Sequence, residues 1–158
     1  MSTSEFSYES LPRKQMAAGA LIRNSVGHIL IVKPTYRPDW LVPGGSIEND
    51  ESPLLCVIRE VEEELGTPVP IGRLLCLEYQ SKGEKRPENL RFIFDGGVME
   101  HARIAQIQLP AKELSEFRFV PFDIAMTLLA TKLNRRINLS VKALQNNSTI
   151  YVENGKEY

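Results

Sequence analysis

Cysteine and histidine are scarce in this 158-residue chain, with two of each. Cys56 and Cys76 stand in apolar surroundings, PLLCVI and RLLCLEY, without the CxxC spacing of a zinc or redox site, so both read as buried free thiols. His28 falls in a turn-like segment and His101 in a polar one. Neither has a partner at metal or triad spacing, and both read as surface residues. Long hydrophobic runs are missing as well. Nothing approaches the roughly 18 apolar residues of a membrane span, and the N-terminal MSTSEFSYESLPRK lacks the apolar stretch of a signal peptide. The expectation is a cytoplasmic protein with no membrane partner, in which the Asn147-Ser148-Thr149 sequon has no meaning. No sign of charge dominates, since the formal net charge is -1. Without a basic field to hold a nucleic-acid polymer, a small polyanion is the expected partner, and it needs local cations or metal. Neither GxxxxGK[ST] nor GxGxxG occurs, which argues against nucleotide binding by those routes, and Gly96-Gly97 is only a weak phosphate-loop signal.

What is present divides into an N-terminal arm over residues 1–15, one domain over 16–144 and a tail or edge strand over 145–158. In the arm, Phe6, Tyr8 and Leu11 follow neither structural period. MAAGALIR and HILIVK are branched apolar runs joined by NSVG, the pattern of a hairpin whose second strand ends at Lys33 because Pro34 lacks an amide donor. KPTYRPD is a loop stiffened by two prolines. Trp40, Leu41 and Val42 then predict a short strand into Pro43-Gly44-Gly45. Further strands are expected in IGRLLCLEYQ, LRFIFDGGV, Ile104 to Leu109 and FRFVPFD. The last runs into a helix with Ile124, Leu128 and Leu129 buried, a second helical piece covers Leu133 to Leu144, and IYVENGKEY turns at Asn154-Gly155.

The most informative stretch is Gly44 to Gly66, GGSIENDESPLLCVIREVEEELG. Ser52 reads as a helix N-cap with Pro53 at the first position, and Gly66 as the stop, with Pro68 beyond. At 100° per residue Leu54, Val57, Ile58, Val61 and Leu65 share the core-facing arc. Glu60, Glu63 and Glu64 fall on an adjacent arc, with Arg59 and Glu62 pointing elsewhere. Carboxylates at i, i+3 and i+4 repel each other, and a hard divalent cation such as Mg²⁺ or Mn²⁺ removes that cost and bridges to phosphate oxygens. A charge run usually just faces water, so the flanking residues have to decide.

Gly45, Glu51, Arg59, Glu60, Val61, Glu63, Glu64 and Gly66 stand in the register of a Nudix box, Gly-x5-Glu-x7-Arg-Glu-U-x-Glu-Glu-x-Gly-U with U a bulky aliphatic residue. The one departure is Thr67, where an aliphatic residue is usual; a small packing change is expected from it. The stretch thus resembles the Nudix hydrolases, and with the strands before it and FRFVPFD after it the resemblance spans roughly Met16 to Leu133. It implies an α/β fold, an α/β/α sandwich on a central mixed sheet. It also implies water attack on the pyrophosphate of a nucleoside diphosphate linked to X, with Mg²⁺ or Mn²⁺ as cofactor. Carried over by position, Glu60, Glu63, Glu64 and the Gly44 carbonyl are the metal ligands, and Glu63 or Glu64 is a candidate to activate the water. Arg59 with Glu51 braces the loop, and Gly45 and Gly66 are structural members of the box. Outside it, Glu113, ahead of Glu116, is the first candidate for a base.

Tyr36, Arg37 and Trp40 enter the glycine turn and are candidates to stack on a base or meet phosphate. Tyr79 and Arg91 are further substrate candidates beside predicted strands, as are Arg23 and Lys33, whereas Phe92 and Phe94 read as core. The SQPWPFPxS array of NADH pyrophosphatases and the extra proline of ADP-ribose hydrolases are not found. Oxidised nucleoside triphosphates and nucleotide sugars both stay open as substrates. A homodimer suits the fold, and a nucleotide-sensing domain without turnover is the competing function.

Overall fold

The computed structural model describes residues 7–158. Of the arm, residues 1–6, Phe6 among them, lie outside the described part; Tyr8–Ser10 forms one exposed 3-10 turn capped by Ser7. Eight strands follow in one mixed sheet: β1 Gln15–Asn24, β2 Ile29–Pro34, β3 Gly44–Ser46, β4 Leu74–Gln80, β5 Asn89–Met99, β6 Leu114–Val120, β7 Ile150–Glu153 and β8 Lys156–Glu157. Their order is β6-β2-β1-β5-β4-β7-β8, with β3 paired to β1 off this path. The β1–β5 and β4–β7 ladders are parallel and the others antiparallel.

The unbroken apolar runs of β1 and β2 have a simple cause, because the sheet is covered on both faces. Leu21, Ile29 and Ile31 join one core with helices α3, Phe122–Leu128, and α4, Thr131–Gln145. Ala20, Ile22, Leu30 and Val32 face the other core, under helix α1, Pro53–Leu65. The layers are therefore helix, sheet, helix. Among the described residues no helix is long and apolar enough to cross a membrane.

The β1–β2 hairpin forms only beside its turn, where Arg23 pairs with Ile29. Farther along β1 the strands splay. Ala17, Ala18 and Gly19 pair instead with Ser46, Gly45 and Gly44, while Val32 bridges Leu41. The strand expected at Trp40–Val42 is thus reduced to single bridges at Trp40 and Leu41, and regular pairing begins two residues after Val42. The splay opens the sheet at the glycine turn.

Two apolar assignments on helices differ from expectation. Leu54 and Ile58 are 42% and 39% exposed, and Cys56 joins Val57, Val61 and Leu65 in the buried set. The contact stripe is rotated toward Cys56, whose thiol reaches the Gly45 carbonyl at 3.7 Å. In α3 Ala125 and Leu129 face inward, one turn apart, while Ile124 points out.

No strand forms over Ile104 to Leu109. Its place is taken by the short helix α2, His101–Ile104, and turns. Ile104, Ile107 and Leu109 lack a two-residue period, and they pack singly beneath α1 while Gln108 donates to the Leu65 carbonyl at 2.9 Å. Residues 145–158 add β7 and β8 to the sheet through the Asn154-Gly155 turn, both at positive φ, so β7 lies inside the sheet and β8 at its edge. Cys76 and Cys56 are both buried free thiols, and burial pushes them up to about 12 and about 11.

Candidate functional site

Helix α1 is set in place at both ends and along its buried side. The Ser52 hydroxyl accepts from Leu55 N at 3.1 Å, and Gly66 closes the helix at φ 66° with its amide on Glu62 O. Val57, Val61 and Leu65 are fully buried, each contributing about 2 kcal/mol over exposure. This anchoring directs the neighbouring arc at the glycine turn.

There the backbone comes unusually close. Gly44 has φ 146°, and a Cβ on it would sit 2.2 Å from the Ala18 carbonyl; a Cβ on Gly45 would sit 2.2 Å from the carboxyl carbon of Glu60. At Gly44 the obstacle is backbone and only glycine fits; at Gly45 a methyl would force the Glu60 carboxylate aside. Gly44 N donates to Glu64 Oε2 at 2.9 Å, so two carboxylates of α1 press on the turn from one side.

Arg59 lies among these groups, not away from them as the helical projection suggested. Its Nε and Nη2 grip both oxygens of Glu51, at 2.7 and 3.0 Å, and Nη1 reaches Glu60 at 2.9 Å and Glu63 at 3.2 Å. A long side chain can curl along the helix surface, which a projection of Cα positions does not represent. Glu51 also accepts from Glu48 N, and with Arg59 as the larger cause its carboxyl falls to about 2. Arg59 thereby ties the loop before α1 to the helix.

The other carboxylates are shifted the opposite way. Burial raises Glu60 in spite of Arg59. Glu64 is pushed up to about 8, mostly by burial, with the charges of Glu60, Glu113 and Glu63 adding to it against the Gly44 hydrogen bond. Glu113 is thus close enough to act on Glu64; its carbonyl accepts from Thr35 N at 2.9 Å, which holds the segment before β6 against the loop after β2. Glu116, on β6, is taken up by Arg118. Among the described residues no three acidic, histidine or cysteine side chains converge on one point. Glu60 and Glu63 are turned to Arg59, and Glu64 to Gly44.

The donor chemistry nevertheless suits a hard cation. Glu60, Glu63, Glu64 and the Gly44 carbonyl offer only oxygen, and the carboxylates are crowded and partly desolvated at a turn that glycine keeps open. His28 and His101 lie on other parts of the fold.

On the far side of Gly44–Ser46 opens a cavity of about 340 Å³. Tyr36, Arg37 and Arg91 line it, and Arg37 is paired with Asp39 at 2.8 Å. Trp40 and Tyr79 do not line it. Trp40 is buried, its ring between Lys33 and Arg118, because the bridge to Leu129 draws it under α3. Tyr79 lies on the other face of β4, where its hydroxyl bonds Glu88. Arg23 pairs with Asp95, and Lys33 reaches the Pro38 carbonyl. Phe94 is buried and Phe92 packs against the α1-side core.

Sequence reasoning missed Arg86, Lys132 and Arg136, which line the same cavity, and Glu78 behind them. Glu78 is 0% exposed and meets Arg136 at 2.7 Å, Arg135 at 2.9 Å and Gln80 Nε2 at 3.0 Å. A signal existed. An acidic residue inside the apolar strand LLCLEYQ demands a buried cation, and Arg136, beside the apolar stripe of α4, supplies it.

Comparison with known proteins agrees with this architecture. The NUDIX domain family matches residues 13–140. Human diphosphoinositol polyphosphate phosphohydrolase 3-beta is 41% identical over 58 residues, 36% of this chain and 35% of that protein. The chain spans about a third of the length of the curated relatives it matches. Among solved structures, a MutT protein from Methanosarcina mazei Go1 superposes with a TM-score of 0.68 at 25% identity, over 87% of this chain and 99% of that one. A UDP-X diphosphatase shares the fold, with a TM-score of 0.72 at 22% identity over 90% and 68%. With the match covering most of its length and the mixed sheet sandwiched by helices, this chain belongs to the NUDIX domain family.

Proposed function

We propose that the chain is a Mg²⁺-dependent pyrophosphohydrolase that cleaves the diphosphate of a small nucleotide, a nucleoside diphosphate linked to X. The observation that carries this is the approach of Glu60 and Glu64 to the Gly44-Gly45 turn at the mouth of a cation-lined cavity. It brings crowded carboxylates to a turn whose glycines also line a cavity rich in positive charge. A diphosphate joined to a bulkier group has the matching shape. The similar proteins whose names specify diphosphoinositol polyphosphates or UDP-X as substrates support pyrophosphate as the reacting group.

Glu60, Glu63, Glu64 and the Gly44 carbonyl would hold Mg²⁺. When bound, the ion screens the diphosphate and acidifies water. Arg59, clamped on Glu51, positions the helix carboxylates relative to the turn. Tyr36 and Arg37, on the loop above the cavity, contact the nucleoside and its phosphate. Glu113, whose charge bears on Glu64, orients the attacking water or takes its proton. Water oxygen joins phosphorus, the bridging P–O bond breaks, and a nucleoside monophosphate leaves with phosphorylated X or pyrophosphate.

The test is a screen of diphosphate compounds with and without Mg²⁺, including nucleotide sugars, oxidised nucleoside triphosphates and diphosphoinositol polyphosphates. Release of a nucleoside monophosphate in Mg²⁺ alone, abolished by Glu64→Gln in folded protein, is expected. Full rate in both Glu63→Gln and Glu64→Gln would overturn the assignment. Binding across the panel with no turnover would turn it toward a nucleotide sensor.

A further inference from the structure

The cavity wall carries more positive charge than a single diphosphate needs. Arg37, Arg86, Arg91, Lys132 and Arg136 line it, and among the described residues none of the lining is acidic. Arg37 is matched by Asp39. Arg136 shares its counter-charge with Arg135, since both rest on the one buried carboxylate of Glu78. Two guanidiniums on one carboxylate leave a net positive charge.

Among the described residues Arg91 has no ion pair; its Nε donates to the Asn89 side-chain oxygen at 2.9 Å. It stands opposite Glu78 in the β4–β5 register, so the two side chains share the face toward α4. Burial, followed by the charges of Arg136 and Arg86, lowers its affinity for its own proton. The charges of Arg136 and Arg86 thus act on Arg91 against the pull of Glu78, in a partly desolvated wall. Such an arrangement costs free energy until an anion enters. The Nε of Arg136, like those of Arg23 and Arg135, is buried without a hydrogen-bond partner among the described residues.

Their place in the fold separates them from the diphosphate. The carboxylates that would meet the scissile group approach the Gly44-Gly45 turn from α1. Arg91 and Arg136 stand on β5 and α4, at the part of the cavity toward α4 and Glu78. Glu78 fixes Arg136 from behind, so that part is preorganised.

We propose that Arg86, Arg91, Lys132 and Arg136 form a subsite for a second phosphate-like anion, carried by the part of the substrate remote from the scissile diphosphate. This rests on the pyrophosphohydrolase reading for where the diphosphate lies. Two sources share that chemistry, a phosphorylated nucleoside and a phosphorylated polyol. The subsite makes the enzyme selective among diphosphates by what their far end carries.

Calorimetric binding at fixed ionic strength, with Glu64→Gln protein to prevent turnover, tests it. NADH and NADPH differ by one ribose phosphate remote from the diphosphate; inositol hexakisphosphate, which has no diphosphate, represents the polyol source. The phosphorylated probe of the correct source is expected to bind on the order of 10-fold or more tightly than its control. For the nucleoside source the control is NADH, and for the polyol source it is inorganic phosphate. Arg91→Gln should bring the ratio near to 1. Because Arg136→Gln alone would strand the buried Glu78, the paired change Glu78→Gln with Arg136→Gln provides the second variant, with folding checked by circular dichroism. A preference for NADPH assigns the anion to a nucleoside, and Arg91-dependent binding of inositol hexakisphosphate assigns it to a polyol. Equal binding within both comparisons, or equal losses on NADH and NADPH in Arg91→Gln without an effect on inositol hexakisphosphate, overturns the subsite. Hydrolysis without such selectivity removes the subsite and leaves the reaction intact; selectivity without hydrolysis by wild-type protein does the reverse.

Discussion

Removing the charge of Glu64 should stabilise the metal-free protein at neutral and alkaline pH while destroying its activity. In the fold this carboxyl sits near about 8, against an ordinary value of 4.5, because burial and the charges of Glu60, Glu113 and Glu63 outweigh the hydrogen bond from Gly44. Between those two values the folded protein keeps a proton that the unfolded chain has released. Stability must therefore fall as pH rises through the window. The full displacement corresponds to about 5 kcal/mol, and partial exposure and relaxation reduce it to about 2–3 kcal/mol. Glutamine retains an acceptor for Gly44 N and has nothing to ionise, so Glu64→Gln should lose none of this. Urea unfolding in chelator at about pH 5 and about pH 8 measures it, the difference between wild type and variant cancelling the histidines and other groups common to both. Equal midpoints for the two proteins at the higher pH, or a wild type that gains on the variant with rising pH, would refute the reasoning. Mg²⁺ should restore the wild type and leave the variant unmoved, by the linkage of binding to folding.

Arg59→Lys should lower kcat by about 10-fold or more and raise the Mg²⁺ requirement, since an ammonium cannot grip both oxygens of Glu51 while reaching Glu60; a Mg²⁺ titration of rate checks it. Gly45→Ala should weaken Mg²⁺ binding without unfolding the chain, because the new methyl would overlap the Glu60 carboxyl, an effect read by Mn²⁺ relaxation titration. Glu113→Gln should reduce kcat and leave KM nearly unchanged if the residue serves the attacking water, as steady-state kinetics with the best substrate will show. Ser52→Ala removes the hydroxyl that caps α1 at Leu55 N and should cost about 1 kcal/mol in urea unfolding, with activity retained below the transition.

The acidic helix could be read from sequence because its signals are local. A cap, a proline, a periodic stripe and a stopping glycine lie within one segment, and the carboxylates follow from helix geometry. Even there the projection failed where reach matters, at Arg59, and where tertiary contact rotates the stripe, at Leu54 and Ile58. Trp40 and Tyr79 show the larger limit. A residue beside a turn or on a strand has two faces to choose from, and the choice depends on pairings far away, with Leu129 for one and with Glu88 for the other. The segment from Ile104 to Leu109 misled for a related reason. Apolar residues that cover the edge of a helix one at a time need no period at all.

The cationic wall was the hardest part to foresee, and its construction explains why. Arg86 comes from the loop after β4, Arg91 from β5, and Lys132 and Arg136 from α4, so nothing in the spacing of these residues announces a site. Behind two of them lies Glu78, a single buried carboxylate that is the register partner of Arg91 and the ion-pair partner of Arg136. A net charge of -1 for the chain conceals this division, in which acid collects under α1 and base under α4. The two charges meet only where β3 pairs with β1, at the glycines that keep the backbone thin. On the proposed reading a ligand that is anionic along its whole length runs through the cavity past the glycine turn, its diphosphate toward the carboxylates and its far end among the arginines. On that reading the arginines set selectivity while the α1 carboxylates hold the metal, so exchanging Lys132 or Arg136 of α4 should change which diphosphates are preferred.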